Sequence, residues 1–186
     1  MRYWCARLLV GLALLLAATG QSCTGLPSIP GDDGDVIPGG GGPTTSEYCE
    51  PIGTPDTNTQ QDMYQALNNY RVANGLAELL YSDTLEEAAQ FQARDMYERD
   101  FFDHTNPDGD NVLDRAIAAG FCNPSLVGEN IAYGHHSVAQ VQIGWQESPG
   151  HNANMLHTDY TFTGMGHYTS PLGVQYWVQV FGTTFD

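Results

Sequence analysis

The spacing of apolar residues predicts two long helices in the first half of the chain. Both segments place apolar or small side chains three or four residues apart, which is the period of one helix face. These positions are Met63, Leu67, Tyr70 and Asn74 in the first segment, before a stop at Gly75, and Leu85, Ala88, Ala89, Gln92 and Met96 in the second. Asp83 and Glu86 stand in capping-box positions, which predicts that the second helix begins there.

Three shorter helices are predicted in the second half of the chain. The first covers NVLDRAIAAG and ends at Gly120. The second begins at Ser137, a favoured N-cap residue, and runs to about Glu147. The third begins in the stretch SPGHNANML, where Ser148 is a good N-cap and Pro149 suits the first helical position.

The hydrophobic period changes from helical to alternating near the C-terminus. The segment VQYWVQVFGTT places Val174, Tyr176, Val178 and Val180 on one face, as a strand does. FTGMGHYTS is a second strand, the turn at 171–173 joins the two into a hairpin, and NIAYG at 130–134 is a candidate third strand. Helices followed by an antiparallel sheet predict an α+β domain built in layers.

The first 46 residues do not have the pattern of a folded domain. Arg2 and Arg7 precede a short apolar run and then small residues, which predicts a secretory signal peptide over residues 1–23. Two ways of processing the signal peptide stay open: ordinary cleavage after ATG at 18–20, or lipidation of Cys23 in a lipoprotein. Residues 24–46 are rich in Gly, Pro and Asp and predict a flexible spacer before a domain at 47–186.

Charge and cysteine content narrow the function classes. The formal net charge is −16 with only six basic residues, which argues against nucleic acid and against anionic membrane surfaces as partners. A membrane association is then expected only through an N-terminal lipid anchor. If Cys23 carries lipid, Cys49 and Cys122 remain as a pair, and export favours a disulfide between them over two free thiols.

Three residues outside the apolar pattern are candidates for chemistry. His104 lies in FFDHTNPDGDN, Glu129 in VGENIAYG and His151 in SPGHNANML. A calcium loop beginning at His104 fails, because a calcium loop begins with Asp and has Glu at its twelfth position, where this chain has Arg115. Each candidate taken alone also fits an ordinary structural role.

The ordered set of motifs is more specific than any one of them. FFDHTNPDG, GENIA, W-x-x-SPGHNANML and YWVQVFG together resemble the CAP superfamily, the cysteine-rich secretory, antigen 5 and pathogenesis-related group, in its compact bacterial branch. The resemblance covers residues 57–185. It implies a three-layer α-β-α sandwich with a largely antiparallel central sheet, and a cavity holding His104, Glu129 and His151. It also implies a second acid three residues after Trp145, where this chain has Ser148.

Two imidazoles and a carboxylate are ligands that zinc or another divalent cation accepts, with a coordination position left open. We therefore expect an exported binding module that holds a cation at His104, His151 and Glu129 and recognises a lipid, a glycan or a protein. The alternative is a metal-assisted peptide hydrolase of the cell envelope, whose metal-bound water would be acidified. A third interpretation is a structural envelope protein in which these side chains brace loops. We prefer the binding module, because the resembled family has diverse roles and one fold serves many functions.

Overall fold

The computed structural model describes residues Cys49–Phe185, so the predicted signal peptide, the spacer and Cys23 lie outside the described residues. The described part contains five helices and four strands. They are α1 (Asn58–Ala73), β1 (Leu80–Tyr81), α2 (Asp83–Glu98), α3 (Val112–Ala118), β2 (Pro124–Tyr133), α4 (Val138–Glu147), α5 (Pro149–Met155), β3 (Phe162–Thr169) and β4 (Gln175–Thr184). None of these helices is long and apolar enough to cross a membrane.

The strands form one sheet in the order β1-β3-β4-β2, with β2 at one edge. The pairs β2–β4 and β3–β4 are antiparallel, and the two-residue β1 runs parallel to β3. The predicted hairpin of β3 and β4 and the predicted layered α+β class are thereby confirmed. The NIAYG segment is the second half of a longer strand, β2.

Both faces of the sheet are covered, which makes the domain a three-layer α-β-α sandwich. On one face, α2 and α3 pack with Ile131, Val178 and Val180 of the sheet. On the other face, α1, α4 and α5 pack with Trp177 and Phe181. The alternation along β4 follows from this arrangement, because neighbouring residues of a strand point to opposite faces.

The contact between α2 and β3 is close enough to require glycine in the strand. A Cβ on Gly164 would lie 2.1 Å from the backbone nitrogen of Glu86, and one on Gly166 would lie 2.2 Å from the carbonyl oxygen of Ala89. The two glycines therefore let the helix backbone lie directly on the sheet. This packing positions α2 on the sheet, and the segment that follows α2 carries His104.

The start of α2 differs from the capping box predicted at Asp83 and Glu86. The N-cap is Ser82, whose hydroxyl accepts from the backbone N–H of Leu85 at 3.1 Å. Glu86 instead turns inward and accepts the hydroxyl proton of Tyr81. The prediction was wrong because a serine one position earlier provides the cap and leaves the acid free to be buried.

The described residues contain a disulfide between Cys49 and Cys122, with a Cα–Cα distance of 6.1 Å. It ties the segment before α1 to the segment between α3 and β2, as predicted. Glu50, beside the bridge, is 1% exposed and accepts hydrogen bonds from the hydroxyls of Ser82 and Thr84, both at 2.6 Å. The N-terminal segment is thus fixed to the first turn of α2.

Candidate functional site

Glu129 is the centre of the candidate site. It lies on the edge strand β2, opposite Val180 of β4, and it is only 5% exposed. Its position two residues before Ile131 places it on the sheet face covered by α2 and α3. Both carboxylate oxygens are paired: Oε1 with Nδ1 of His104 at 2.8 Å and Oε2 with a terminal nitrogen of Arg115 at 2.7 Å.

Arg115 is the functional residue that sequence reasoning missed. It lies in α3, a helix begun by a capping box in which Asn111 and Asp114 satisfy each other's backbone N–H groups. Its guanidinium also donates to the carbonyl oxygens of His104, at 3.1 Å, and Asp110, at 2.9 Å. The only available signal was a basic residue on a mostly apolar helix in an acidic chain.

The burial of the Arg115–Glu129 ion pair determines how much it contributes to the stability of the fold. The side chains are 3% and 1% exposed. Two opposite charges removed from water in this way stabilise the protein only while both are present, because either one alone would be a buried unpaired charge. The pair therefore fixes the carboxylate relative to α3 and to the backbone of His104.

His104 lies between the buried pair and solvent. Its side chain is 54% exposed, while its Nδ1 contacts the buried carboxylate. The hydrogen bond with Glu129 raises the pKa of His104 above its ordinary value, although burial of the ring and the charge of Arg115 oppose that shift. Its loop is held by Gln92, whose side-chain amide donates to the carbonyl oxygen of Asp103 at 2.8 Å.

The rest of the loop that carries His104 is closed by Asn106. Asn106, 4% exposed, accepts from the backbone N–H groups of Asp108 at 3.0 Å and Asp110 at 2.9 Å. Its oxygen is thus spent on closing the turn. Asp108 in turn pairs with Arg99 after the end of α2.

His151 reaches the site from the opposite layer. It lies in α5, which begins at Pro149 as predicted, with Ser148 at the N-cap position but without a side-chain capping bond. Burial lowers the pKa of His151, and the charge of His104 lowers it further. Its Nδ1 is buried and has no hydrogen-bond partner among the described residues.

Two asparagines from the GEN and HNAN motifs fasten α5 to β2. Asn130 donates to the carbonyl oxygen of His151 at 3.1 Å. Asn154 donates to the carbonyl oxygen of Glu129 at 3.1 Å and to the side-chain oxygen of Asn130 at 2.9 Å. These bonds set the position of His151 relative to the carboxylate, which explains the need for both motifs.

Gly128 and Arg71 complete this support. A Cβ on Gly128 would lie 2.1 Å from the hydroxyl of Tyr160, so a larger residue before Glu129 would require the buried Tyr160 side chain to move. Arg71 of α1 is 2% exposed and donates to the carbonyl oxygens of Met155 at 2.8 Å and His157 at 2.9 Å. The C-terminal end of α5 is therefore held by a buried guanidinium.

The structure thus brings His104 and Glu129 into contact, and it fastens the helix that carries His151 to the strand that carries Glu129. Within Cys49–Phe185, no three His, Cys, Asp or Glu side chains are grouped so that they could hold a metal ion. A metal ion on His104, Glu129 and His151 stays a prediction. Glu147, the acid nearest to the expected second acidic position, is exposed on α4, and Ser148 occupies that position.

Comparisons with known proteins give an independent view of the whole domain. A family model described as CAP, the cysteine-rich secretory protein family, matches residues 64–181. The uncharacterized protein YkwD of Bacillus subtilis is 30% identical over 111 residues, which is 60% of this chain and 43% of that protein. The chain therefore spans less than half the length of this relative.

Two solved structures are similar over most of the described residues. An outer surface protein from Borrelia burgdorferi has a TM-score of 0.63 and 25% identity, with 69% of this chain and 97% of that chain covered. An extracellular protein containing a SCP domain from Bacillus anthracis has the same TM-score and identity, with 71% and 45% covered. Both share the sandwich described above.

Proposed function

Since this chain belongs to the cysteine-rich secretory protein (CAP) family, we propose that it acts outside the cytoplasm as a binding module with a divalent-cation site at His104 and His151. The curated relative and the two solved structures described above are bacterial, in agreement with the compact bacterial branch inferred from the motifs. The observation that carries the site is the contact of His104 with a fully paired, buried carboxylate.

Two observations support a location outside the cytoplasm. Similar structures include an outer surface protein and an extracellular protein. The domain also contains a disulfide, a bond that persists mainly in oxidising compartments. The signal peptide, with ordinary cleavage or lipidation at Cys23, stays part of this proposal.

The contacts of Glu129 favour a role in positioning a metal ligand over the expected role as a third ligand. Each of its oxygens already has a cationic or N–H partner, so direct coordination would require the loss of His104 or Arg115. A carboxylate on one ring nitrogen of a histidine fixes the tautomer and leaves the other nitrogen to bind metal. We therefore assign Glu129 as a positioning residue and Nε2 of His104 as the ligand atom.

His151 has the properties of the second ligand. Burial favours its neutral form, which is the form that binds metal. Its buried Nδ1 has no partner among the residues described, so a metal ion on this ring would not have to displace a hydrogen bond there. With two protein ligands, other positions on the ion would stay open for water or for a bound partner, and zinc acidifies such a water.

Zinc titration by calorimetry on the purified, metal-stripped protein tests this proposal. We expect binding of about one equivalent, abolished in His104→Ala and in His151→Ala. His136→Ala is the matched control, because His136 is exposed on the segment before α4 and should leave binding unchanged. Equal binding by all three variants, or no binding by the unchanged protein, would reject the site.

Glu129→Gln separates the two assignments of the carboxylate. A residue that orients a ligand costs about 10–100-fold in metal affinity when it is changed, whereas loss of a direct ligand removes binding. We expect the weaker effect. The lipid, glycan or protein partner and the hydrolase alternative stay predictions from the sequence, and a peptide-hydrolysis screen becomes informative once zinc binding has been measured.

A further inference from the structure

A cleft of about 230 Å³ lies at the end of α2, apart from the proposed cation site. It is lined by five apolar or aromatic residues and one acid. They are Met96, Phe101, Phe102, Tyr133, Tyr176 and Asp100, and we call this set the aromatic cleft. Pockets that hold drug-sized ligands are about 300–1,000 Å³, so this cleft fits a head group or a single side chain.

The aromatic rings of the cleft are packed against one another yet open to solvent. Tyr133 is 55% exposed and Phe102 47% exposed. The rings of Tyr133 and Tyr176 are close to parallel, at 22° and 6.1 Å between centroids, and Phe102 meets Tyr133 at 60° and 4.7 Å. Such mutual packing holds the rings in place before any ligand arrives.

Asp100 has an unusual position for an acid. It has a φ of 54°, a left-handed conformation that strongly favours glycine. Its N–H bonds to the carbonyl of Tyr97, and the next N–H, of Phe101, bonds to the carbonyl of Met96, which together form a Schellman motif. Glycine is the usual residue at this point of the motif, so the aspartate is kept there at a conformational cost.

The acid also stands where its charge is least favourable. The C-terminal end of a helix carries a partial negative charge, which repels an anion and attracts a cation. Asp100 follows the end of α2 by two residues. Burial raises the pKa of Tyr176, and the charge of Asp100 raises it further. Backbone strain clusters at functional sites, which makes Asp100 a candidate for a function.

We propose that the aromatic cleft binds the head group of an organic cation, an alkylated ammonium or a guanidinium group, between its aromatic faces and the carboxylate of Asp100. The faces of aromatic rings attract cations, and an acid beside them adds a full charge. The helix end adds a partial one. The net charge of −16 draws cations toward the whole chain.

The neighbourhood of the cleft already shows this type of contact. The guanidinium carbon of Arg99 lies 5.9 Å from the ring centroid of Phe101. Its charge is offset by ion pairs with Asp95 and Asp108, so it does not cancel that of Asp100. A bare metal ion fits less well, because hard cations need several oxygen ligands and the cleft has one carboxylate.

Choline and its uncharged carbon isostere, dimethylbutanol, are the probes for this proposal. The protein is titrated with each in the presence of EDTA and at matched ionic strength, and backbone amide shifts are followed by NMR. We expect saturable shifts at Phe101 and Tyr133 with choline, and affinity for the isostere lower on the order of ten-fold. Equal affinity for both probes, or no saturable shift, would overturn the proposal.

Amino-acid substitutions test whether choline binds in the aromatic cleft. Tyr133→Ala and Asp100→Asn should each weaken choline binding on the order of ten-fold, while Asp62→Asn, on the exposed side of α1, removes the same charge without effect. Asp100→Gly suits the positive φ, so it should raise the unfolding midpoint and still weaken binding. Undiminished binding in Asp100→Gly would overturn the assignment.

A comparison of arginine amide with choline tests which kind of molecule supplies the cation. Arginine amide represents a basic peptide side chain, and choline represents a small-molecule or lipid head group. Tighter binding of arginine amide assigns the cleft to a peptide, and tighter binding of choline assigns it to a head group. EDTA and the His104→Ala variant separate this test from the proposed cation site, since neither should change choline binding.

Discussion

Replacement of Arg115 by methionine is expected to destabilise the protein strongly although the residue touches no ligand. The change keeps an unbranched side chain but leaves the carboxylate of Glu129, 1% exposed, without its guanidinium partner. Removal of one member of a buried ion pair costs about 3–5 kcal/mol. The variant also loses the hydrogen bonds to the carbonyls of His104 and Asp110. The free energy of unfolding in urea measures the loss.

The size of this loss should depend on pH through His104. The hydrogen bond with Glu129 raises the pKa of His104 in the folded protein, so its protonation stabilises the fold. That contribution is complete below about pH 6.5 and is lost as the pH rises through the raised folded value. Without Arg115, the imidazolium is the remaining cation on the carboxylate. We therefore expect Arg115→Met to cost more at about pH 8 than at about pH 5.5.

A double variant is the control for this reasoning. In Arg115→Met/Glu129→Leu both charges are absent, so no unpaired charge is buried. The double change should cost less than the sum of the two single changes by at least about 2 kcal/mol. Additive costs, a single-variant loss under about 1 kcal/mol, or a loss that is equal at both pH values would each refute the account of the buried pair.

Three further changes test other parts of the structure. Gly166→Ala should lower the free energy of unfolding by at least about 2 kcal/mol, because its Cβ would lie 2.2 Å from the backbone of α2. Gly150→Ala is the control, since its Cβ enters open space and should cost little. Equal losses of the two variants in urea unfolding would contradict the packing. Replacement of Cys49 and Cys122 by serine should cost about 4 kcal/mol for a loop of 73 residues, and an unchanged urea midpoint would contradict the cross-link. Burial lowers the pKa of His151, so its protonation as the pH falls below about 6.5 opposes folding. An NMR titration of the ring should therefore have its midpoint below the pKa of an ordinary histidine. A midpoint at or above that pKa would contradict the burial.

The parts of the fold that sequence predicted well are those where local period reports burial directly. The face of α2 and the β3–β4 hairpin have clear periods of about 3.6 and 2, and the structure confirms them. On α1, Met63 and Leu67 are buried as predicted, whereas Asn74 is exposed after the helix end. The N-terminal half of β2 has mostly intermediate burial without alternation, so its residues before Asn130 gave no strand signal. β1 is only two residues long, too short for any period.

The candidate site shows a different limit of sequence reasoning. Motifs identified His104, Glu129 and His151, but the partner that holds the carboxylate, Arg115, is fourteen residues away on a short helix. Nothing in its local pattern distinguishes a buried arginine from a solvated one, because the distinction depends on which strand α3 covers. Long-range pairs of buried charges are therefore visible only once the layers have been assembled.

Ring-nitrogen NMR of the histidines during zinc addition tests the central claim most directly. The account predicts that about one equivalent of Zn²⁺ shifts Nε2 of His104 and one ring nitrogen of His151 to metal-bound values. Nδ1 of His104 should keep its hydrogen bond to Glu129, and His136 should not change. Zinc on Nδ1 of His104, or shifts confined to exposed histidines, would contradict a cation site positioned by the buried carboxylate.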